Sequence, residues 1–282
     1  MNRRGLTRSI ACAAALAGVA STGAPAAAQA KVVEPVWVTK QVDIAAGQTK
    51  SVTLKCPARA VALNGTASRA SSSIPGANAR RWTFRFDRSG SAVLRCVRLR
   101  LPHNVSGISL VVGTTFEPVF ELPPGFTQTI DVKCPTGEVP TGWGLDRSGD
   151  ANGLSIAAAV PTAKGWSFAV ENTGATGAAG SLNARCLERK QRASSGQHHT
   201  FATRIASFTE QIENDATASR SCRSDEYSVA TGVSLPASDD IVLTGTGLTG
   251  ERGAEWTFSQ TSGATPVQTS LICLARTTGF RR

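Results

Sequence analysis

The sequence predicts an all-β protein built from three tandem small β-sandwich-like modules, each closed by one internal disulfide. Three observations predict it. Cysteine pairs Cys56/Cys96, Cys134/Cys186 and Cys222/Cys273 enclose the tripeptides Trp82-Thr83-Phe84, Trp166-Ser167-Phe168 and Trp256-Thr257-Phe258 respectively. Apolar residues alternate with polar ones at a period of two, as in Trp82, Phe84 and Phe86 against Arg81, Thr83, Arg85 and Asp87. After Ala30, no stretch shows helical periodicity.

Residues 1–30 carry the pattern of an export signal. Arg3, Arg4 and Arg8 give a basic start, Ile10 to Ala20 is apolar, and Ala28-Gln29-Ala30 forms an Ala-x-Ala cleavage site before Lys31. The apolar stretch falls short of the roughly 20 residues that a membrane-spanning helix needs, and no later segment reaches that length. The expected product is secreted or periplasmic, without a membrane span. Removing the signal leaves six cysteines in a compartment where disulfides persist. The repeat selects one pairing, because each module contributes two. Closing a loop the size of Cys134–Cys186 stabilises a module by roughly 4 kcal/mol in the chain-entropy model. A zinc site would require close Cys-x-x-Cys spacing, which is missing.

The expected modules run over residues 31–103, 104–193 and 194–282. Val42-Asp43-Ile44-Ala45-Ala46-Gly47 through Cys56-Pro57 matches Phe120-Glu121-Leu122-Pro123-Pro124-Gly125 through Cys134-Pro135 without a gap. The third frame, Phe208 to Cys222, is degraded, with Arg223 in place of the proline. The cysteines share the apolar parity of Leu94, Leu182 and Leu271, so each bridge belongs inside a core. The short Pro102–Gly107 connection implies close contact between the first two modules. Glu188 to His199, longer and polar, reads as a flexible joint that leaves the third module free to move.

The second module carries Cys134-Pro135-Thr136-Gly137, Trp166-Ser167-Phe168-Ala169-Val170-Glu171-Asn172 and Ala184-Arg185-Cys186. It resembles a disulfide-paired all-β module (Cys-Pro-x-Gly, Trp-x-Phe, Ala-x-Cys) of uncharacterised secreted bacterial proteins. The first module departs from that pattern at Arg59 and the third lacks the Cys-Pro. The resemblance implies secretion and a stapled β module, with no activity attached.

Charge is distributed unevenly. The whole chain carries +10, and residues 31–107 alone hold 13 Lys/Arg against three acids, while the other two thirds are slightly acidic. A single basic module points to an acidic partner. Its candidate anion-binding residues are Arg81 and Arg85 on the outward face of the Trp82 strand, with Arg95, Arg98 and Arg100 on the strand of Cys96. The apolar parity slips after Cys96, so a bulge there would turn Arg98 and Arg100 away from Arg95. An anionic cell-surface polymer or another envelope protein fits an exported chain better than nucleic acid, for which no aromatic-interleaved basic motif is present.

Trp143, between Gly142 and Gly144, is a candidate exposed aromatic for a sugar ring or partner; packing against a neighbouring module is the alternative. Asp146 to Gly153 has the oxygen ligands of a calcium loop but neither its flanking helices nor the terminal glutamate, and a polar hairpin turn explains it. His103, His198 and His199 fall in expected linkers, and no nucleophile elbow, metal motif or phosphate loop appears. No catalytic residue, metal or cofactor is assigned. The sequence therefore favours a non-enzymatic binding, adhesion or envelope protein. A secreted hydrolase or a carbohydrate-binding protein acting on envelope polymers is the alternative.

Overall fold

Alternating side chains settle into strands as the period predicts. In the computed structural model, which describes residues 32–100, 110–116, 119–148, 153–192, 198–236, 241–261 and 263–281, there is no helix. Around the first disulfide lie β1 (Val32–Val42), β2 (Lys50–Lys55), β3 (Val61–Pro75) and β4 (Arg81–Arg100). Strand β4 is the spine. Its second half pairs with β1 and the start of β3, and its first half pairs with β2 and the end of β3. Bulges near Ala62/Asn64 and Ser68–Ser72 let β3 turn from one strip to the other.

The same pairing recurs around the second disulfide, in shorter pieces. β5 (Val112–Phe116), β6 (Phe120–Leu122), β7 (Thr127–Lys133), β8 (Glu138–Ser148), β9 (Leu154–Thr162), β10 (Gly165–Asn172) and β11 (Ala178–Glu188) follow in order. Here β11 lies between β5/β6 and β8, and β10 lies between β7 and β9. After β12 (Lys190–Arg192) and β13 (His198–Thr200) come β14 (Thr203–Glu213), β15 (Ala216–Ser221), β16 (Glu226–Ser234), β17 (Ile241–Thr249), β18 (Gly253–Gln260), β19 (Ala264–Ala275) and β20 (Gly279–Arg281). Again β19 has β14 and β16 as neighbours, and β18 has β15 and β17. In all three units the register shifts opposite the second cysteine, at Leu63, Thr141 and Val229.

The bridges Cys56–Cys96, Cys134–Cys186 and Cys222–Cys273 form as expected, with Cα atoms 5.7 to 5.8 Å apart. Trp82, Trp166 and Trp256 are buried beside them, each in a core cluster with the phenylalanine two residues on. Three disulfides are the mark of an oxidising, extracytoplasmic compartment. Among the described residues no helix is long and apolar enough to cross a membrane. The expected signal, residues 1–30, lies outside the described residues.

The expectation of three sandwiches in a row needs correcting. The sheets are arranged as a four-bladed, propeller-like ring. Strand β16 pairs with β9 through Val233/Ala159 and Ser234/Ala158, which makes a six-stranded sheet spanning the second and third units. One core cluster takes Leu63 and Val97 from the first unit, Trp166 and Leu182 from the second, and Tyr227 and Ile272 from the third. The units cannot separate without opening that core. Two glycines explain the close fit: a Cβ on Gly144 would sit 2.0 Å from the Ser73 carbonyl oxygen, and one on Gly232 would sit 2.6 Å from that of Ala159. The expected flexible joint also differs. Lys190–Arg192 and His198–Thr200 pair as β12 and β13, and β13 continues onto β20; residues 193–197 lie outside the described residues.

Candidate functional site

The basic residues of the first unit divide by the strand face that each one occupies. Arg81 and Arg85 alternate with Trp82, Phe84 and Phe86, so the aromatic rings turn into the core and the guanidinium groups into solvent. Lys55 stands directly opposite Arg81 on β2, and it too is exposed. Between them and Arg85, Thr53 and Thr83 share a hydroxyl hydrogen bond of 2.9 Å. Asp87, at the end of the row, is paired with Arg88 at 3.3 Å. Among the described residues, Lys55, Arg81 and Arg85 take part in no ion pair.

Arg98 belongs elsewhere. Its Nε and Nη2 donate to both carboxylate oxygens of Glu34, at 3.0 and 3.1 Å, and that pairing raises its pKa. The side chain of Arg100 lies outside the described residues. Arg95 overturns its assignment as an anion ligand, because it is 1% exposed. The shift in register at Leu63 leaves Arg95, Cys96 and Val97 all buried: the cysteine enters its own core while the arginine enters the neighbouring unit. There Nη1 donates to Ser228 Oγ at 2.8 Å and to the Glu251 carbonyl at 3.3 Å, and Nη2 donates to the Gly250 carbonyl at 2.8 Å. The guanidinium lies 3.2 Å over the Trp37 ring, and burial pushes its pKa down to about 8.

Sequence reasoning missed the counterpart, Arg185. This residue precedes Cys186 as Arg95 precedes Cys96, and it is wholly buried. Its Nη2 donates to the carbonyls of Gly76 and Arg81 at 2.9 and 3.4 Å, beside the Trp82 ring; burial lowers its pKa to about 10. An arginine beside each of two cysteines, among apolar neighbours, was the signal for it.

Trp143 is half-buried and does not stand free. Its ring meets Phe168 edge-on at 5.4 Å and tilts against Trp166 at 6.2 Å, and its Nε1 donates to the Thr231 carbonyl at 3.4 Å. With Gly65 and Thr231, which hold the equivalent positions on β3 and β16, it lines a cavity of about 170 Å3 where the three units meet. Asn64 and Arg147 also line this cavity. A larger cleft of about 530 Å3 opens between the second and third units, with Glu138, Thr162 and Ile272 in its walls.

Other groups are occupied structurally. His199 is buried with its Nδ1 3.0 Å from Thr278 Oγ1, and His103 lies outside the described residues, as do residues 149–152 of the calcium-like loop. Cys222, Glu226 and Cys273 converge within 4.8 Å, a spacing that suits a metal, but both sulfurs are consumed by their disulfide. Neither family models nor curated proteins show a match to this chain.

Proposed function

We propose that this is an exported, non-enzymatic binding protein made of three copies of one disulfide-closed module, which docks on an anionic surface polymer through the first module. The observation that carries the reading is the row Lys55, Arg81 and Arg85: three exposed cations on one sheet face, with Lys55 and Arg81 directly opposite each other. Like charges facing across strands destabilise a sheet, and a polyanion bound along the row removes that repulsion. Planar guanidinium groups suit the carboxylates of a polyuronate or the oxygens of a phosphopolymer. Arg95 and Arg98 take no part, since one is buried and the other matched by Glu34.

The test uses the full chain without its signal, titrated with polygalacturonate and with polyphosphate across a salt series. Binding is expected at low salt and should weaken steeply as exposed charges are screened. The double variant R81E/R85E should lose at least about tenfold in affinity, and K133E in the second unit should lose little. If neither polymer binds at low salt, or if R81E/R85E binds as the parent does, the basic row is only a solvated face.

A further inference from the structure

Two of the three contacts between units are closed by an arginine placed just before the second cysteine, and the third contact lacks it. Arg95 and Arg185 are the arginines; the equivalent residue on β19 is Ile272. Their neighbours on the first strand of each unit are Trp37, Thr114 and Ile205. Each arginine reaches carbonyls at the entry to the Trp-x-Phe strand of the adjacent unit: Gly250 and Glu251, in the turn before β18, for Arg95, and Gly76 before β4 with Arg81 at its start for Arg185. The corresponding turn for Ile272 is Thr162-Ala163-Lys164, and the 530 Å3 cleft lies between them. The turns differ in length but share one hydrogen bond: the amides of Cys56, Cys134 and Cys222 donate to the carbonyls of Arg80, Lys164 and Arg252 respectively. Ala163 therefore stands where Glu251 does.

A second cation is missing at the same place. Glu138 on β8 and Glu226 on β16 hold equivalent positions, each one residue before the partner of the leucine that follows the second cysteine. Glu226 is clasped by Arg204, whose Nε lies 2.9 Å from Oε1, and it accepts the Arg223 amide at 3.0 Å. The residue equivalent to Arg204, opposite Cys186, is Gly113. A Cβ there would lie 3.3 Å from Glu138 Oε2, an atom that is buried without a partner. Burial and Glu188, directly across on β11, both raise the Glu138 pKa, as expected of a carboxylate with no cation beside it.

We propose that the cleft between the second and third units binds a guanidinium or primary ammonium group carried on an aliphatic stem. The cationic head meets the Glu138 carboxylate and the turn at Thr162 and Ala163, the positions that match the Gly250 and Glu251 carbonyls held by Arg95. The stem lies along Ile205 and Ile272, which form the apolar wall. Lys164 and Arg189 are also exposed at this cleft and oppose any incoming cation, so the affinity is expected to be weak and carried by the Glu138 carboxylate and the apolar stem.

Calorimetric titration of the full mature chain decides the question. The probes are agmatine, the blocked peptide acetyl-Gly-Arg-Gly-amide, and the same peptide with citrulline as a neutral isostere. At least one of the cationic probes should bind saturably in the millimolar range or tighter, and the citrulline peptide should not. Binding by agmatine identifies a free small cation as sufficient, whereas binding by the peptide alone identifies an arginine side chain of a partner. E138Q should weaken binding about tenfold or more by removing a charge-assisted partner. I272R, which supplies the chain's own guanidinium, should abolish it, and G113R, which gives Glu138 a cation in cis, serves if I272R does not fold. Absence of saturable binding by both cations, equal binding of citrulline, or an E138Q variant that binds as the parent does would overturn the proposal. None of these readouts depends on the polyanion face.

Discussion

Glu138 and Glu226 occupy the same place in two units yet respond to protons in opposite directions. Arg204 and the Arg223 amide hold the Glu226 carboxyl below the ordinary value of 4.5, so its charged form is favoured on folding. That contribution is complete above the unfolded pKa and is lost as pH falls through the lower folded one. Glu138 is held above 4.5 by burial and by Glu188, so its charge opposes folding above the folded pKa, and acid relieves the cost. E226Q should therefore be less stable than the parent at neutral pH, by about 1 kcal/mol or more, with the difference shrinking as pH drops below 4.5. E138Q should be at least as stable as the parent at neutral pH and should lose that advantage in acid. Urea midpoints of both variants across this range check the signs; a parallel response would refute the assignment. The sequence pointed to arginines near the second cysteines, but it could not show which faced solvent. The parity of a strand places a side chain on a face, and only the neighbouring unit determines whether that face is covered.

At the scale of strands, a period of two was enough to place the Trp-x-Phe strands, their buried tryptophans and the cysteines beside them. What could not be read was the bulge at Leu63, Thr141 and Val229, since an extra residue leaves composition unchanged. The contact between strands of different units was also hidden, because it depends on backbone approach at glycines such as Gly142, Gly144 and Gly232 and not on an apolar pattern. Gly142-Trp143-Gly144 suggested an exposed tryptophan, when Gly144 is there to admit the Ser73 carbonyl. Replacing that glycine tests the reading. G144A puts a methyl into backbone that cannot withdraw, and overpacking of this kind costs about 1–3 kcal/mol or more. G232A should behave similarly against Ala159 and Pro161. A methyl added at Gly247 on β17 would meet nothing within 4 Å, so G247A should be neutral or stabilising, by up to about 1 kcal/mol. Thermal melts of the three variants would contradict this account if G144A and G247A matched.

For the molecule as a whole, the question is whether three covalently closed units act as beads or as one body. Each disulfide constrains only its own unit, so the bridges by themselves permit beads. Three further links oppose that. Arg95 ties the first unit to the third, Arg185 ties the second to the first, and β16 adds its edge to β9 of the second. The chain thus closes on itself by contacts between residues far apart in sequence, with Arg95 and Ser228 separated by 133 positions. A ring of this kind should unfold in one transition and survive a cut. With a protease site introduced between Arg192 and His198, the cleaved chain should still elute as a single species, because the core that takes Leu63, Trp166 and Ile272 is intact. Arg95→Met removes a donor to three acceptors; Ser228 Oγ still reaches the Gly253 carbonyl and the Glu251 carbonyl still accepts the Ser228 amide, so the Gly250 carbonyl is the acceptor left against an apolar chain, at a cost of about 1–3 kcal/mol. The cleaved R95M protein should then separate into its two fragments at a denaturant concentration that leaves the cleaved parent whole. Fragments that part immediately on cleavage of the parent would return the molecule to independent units.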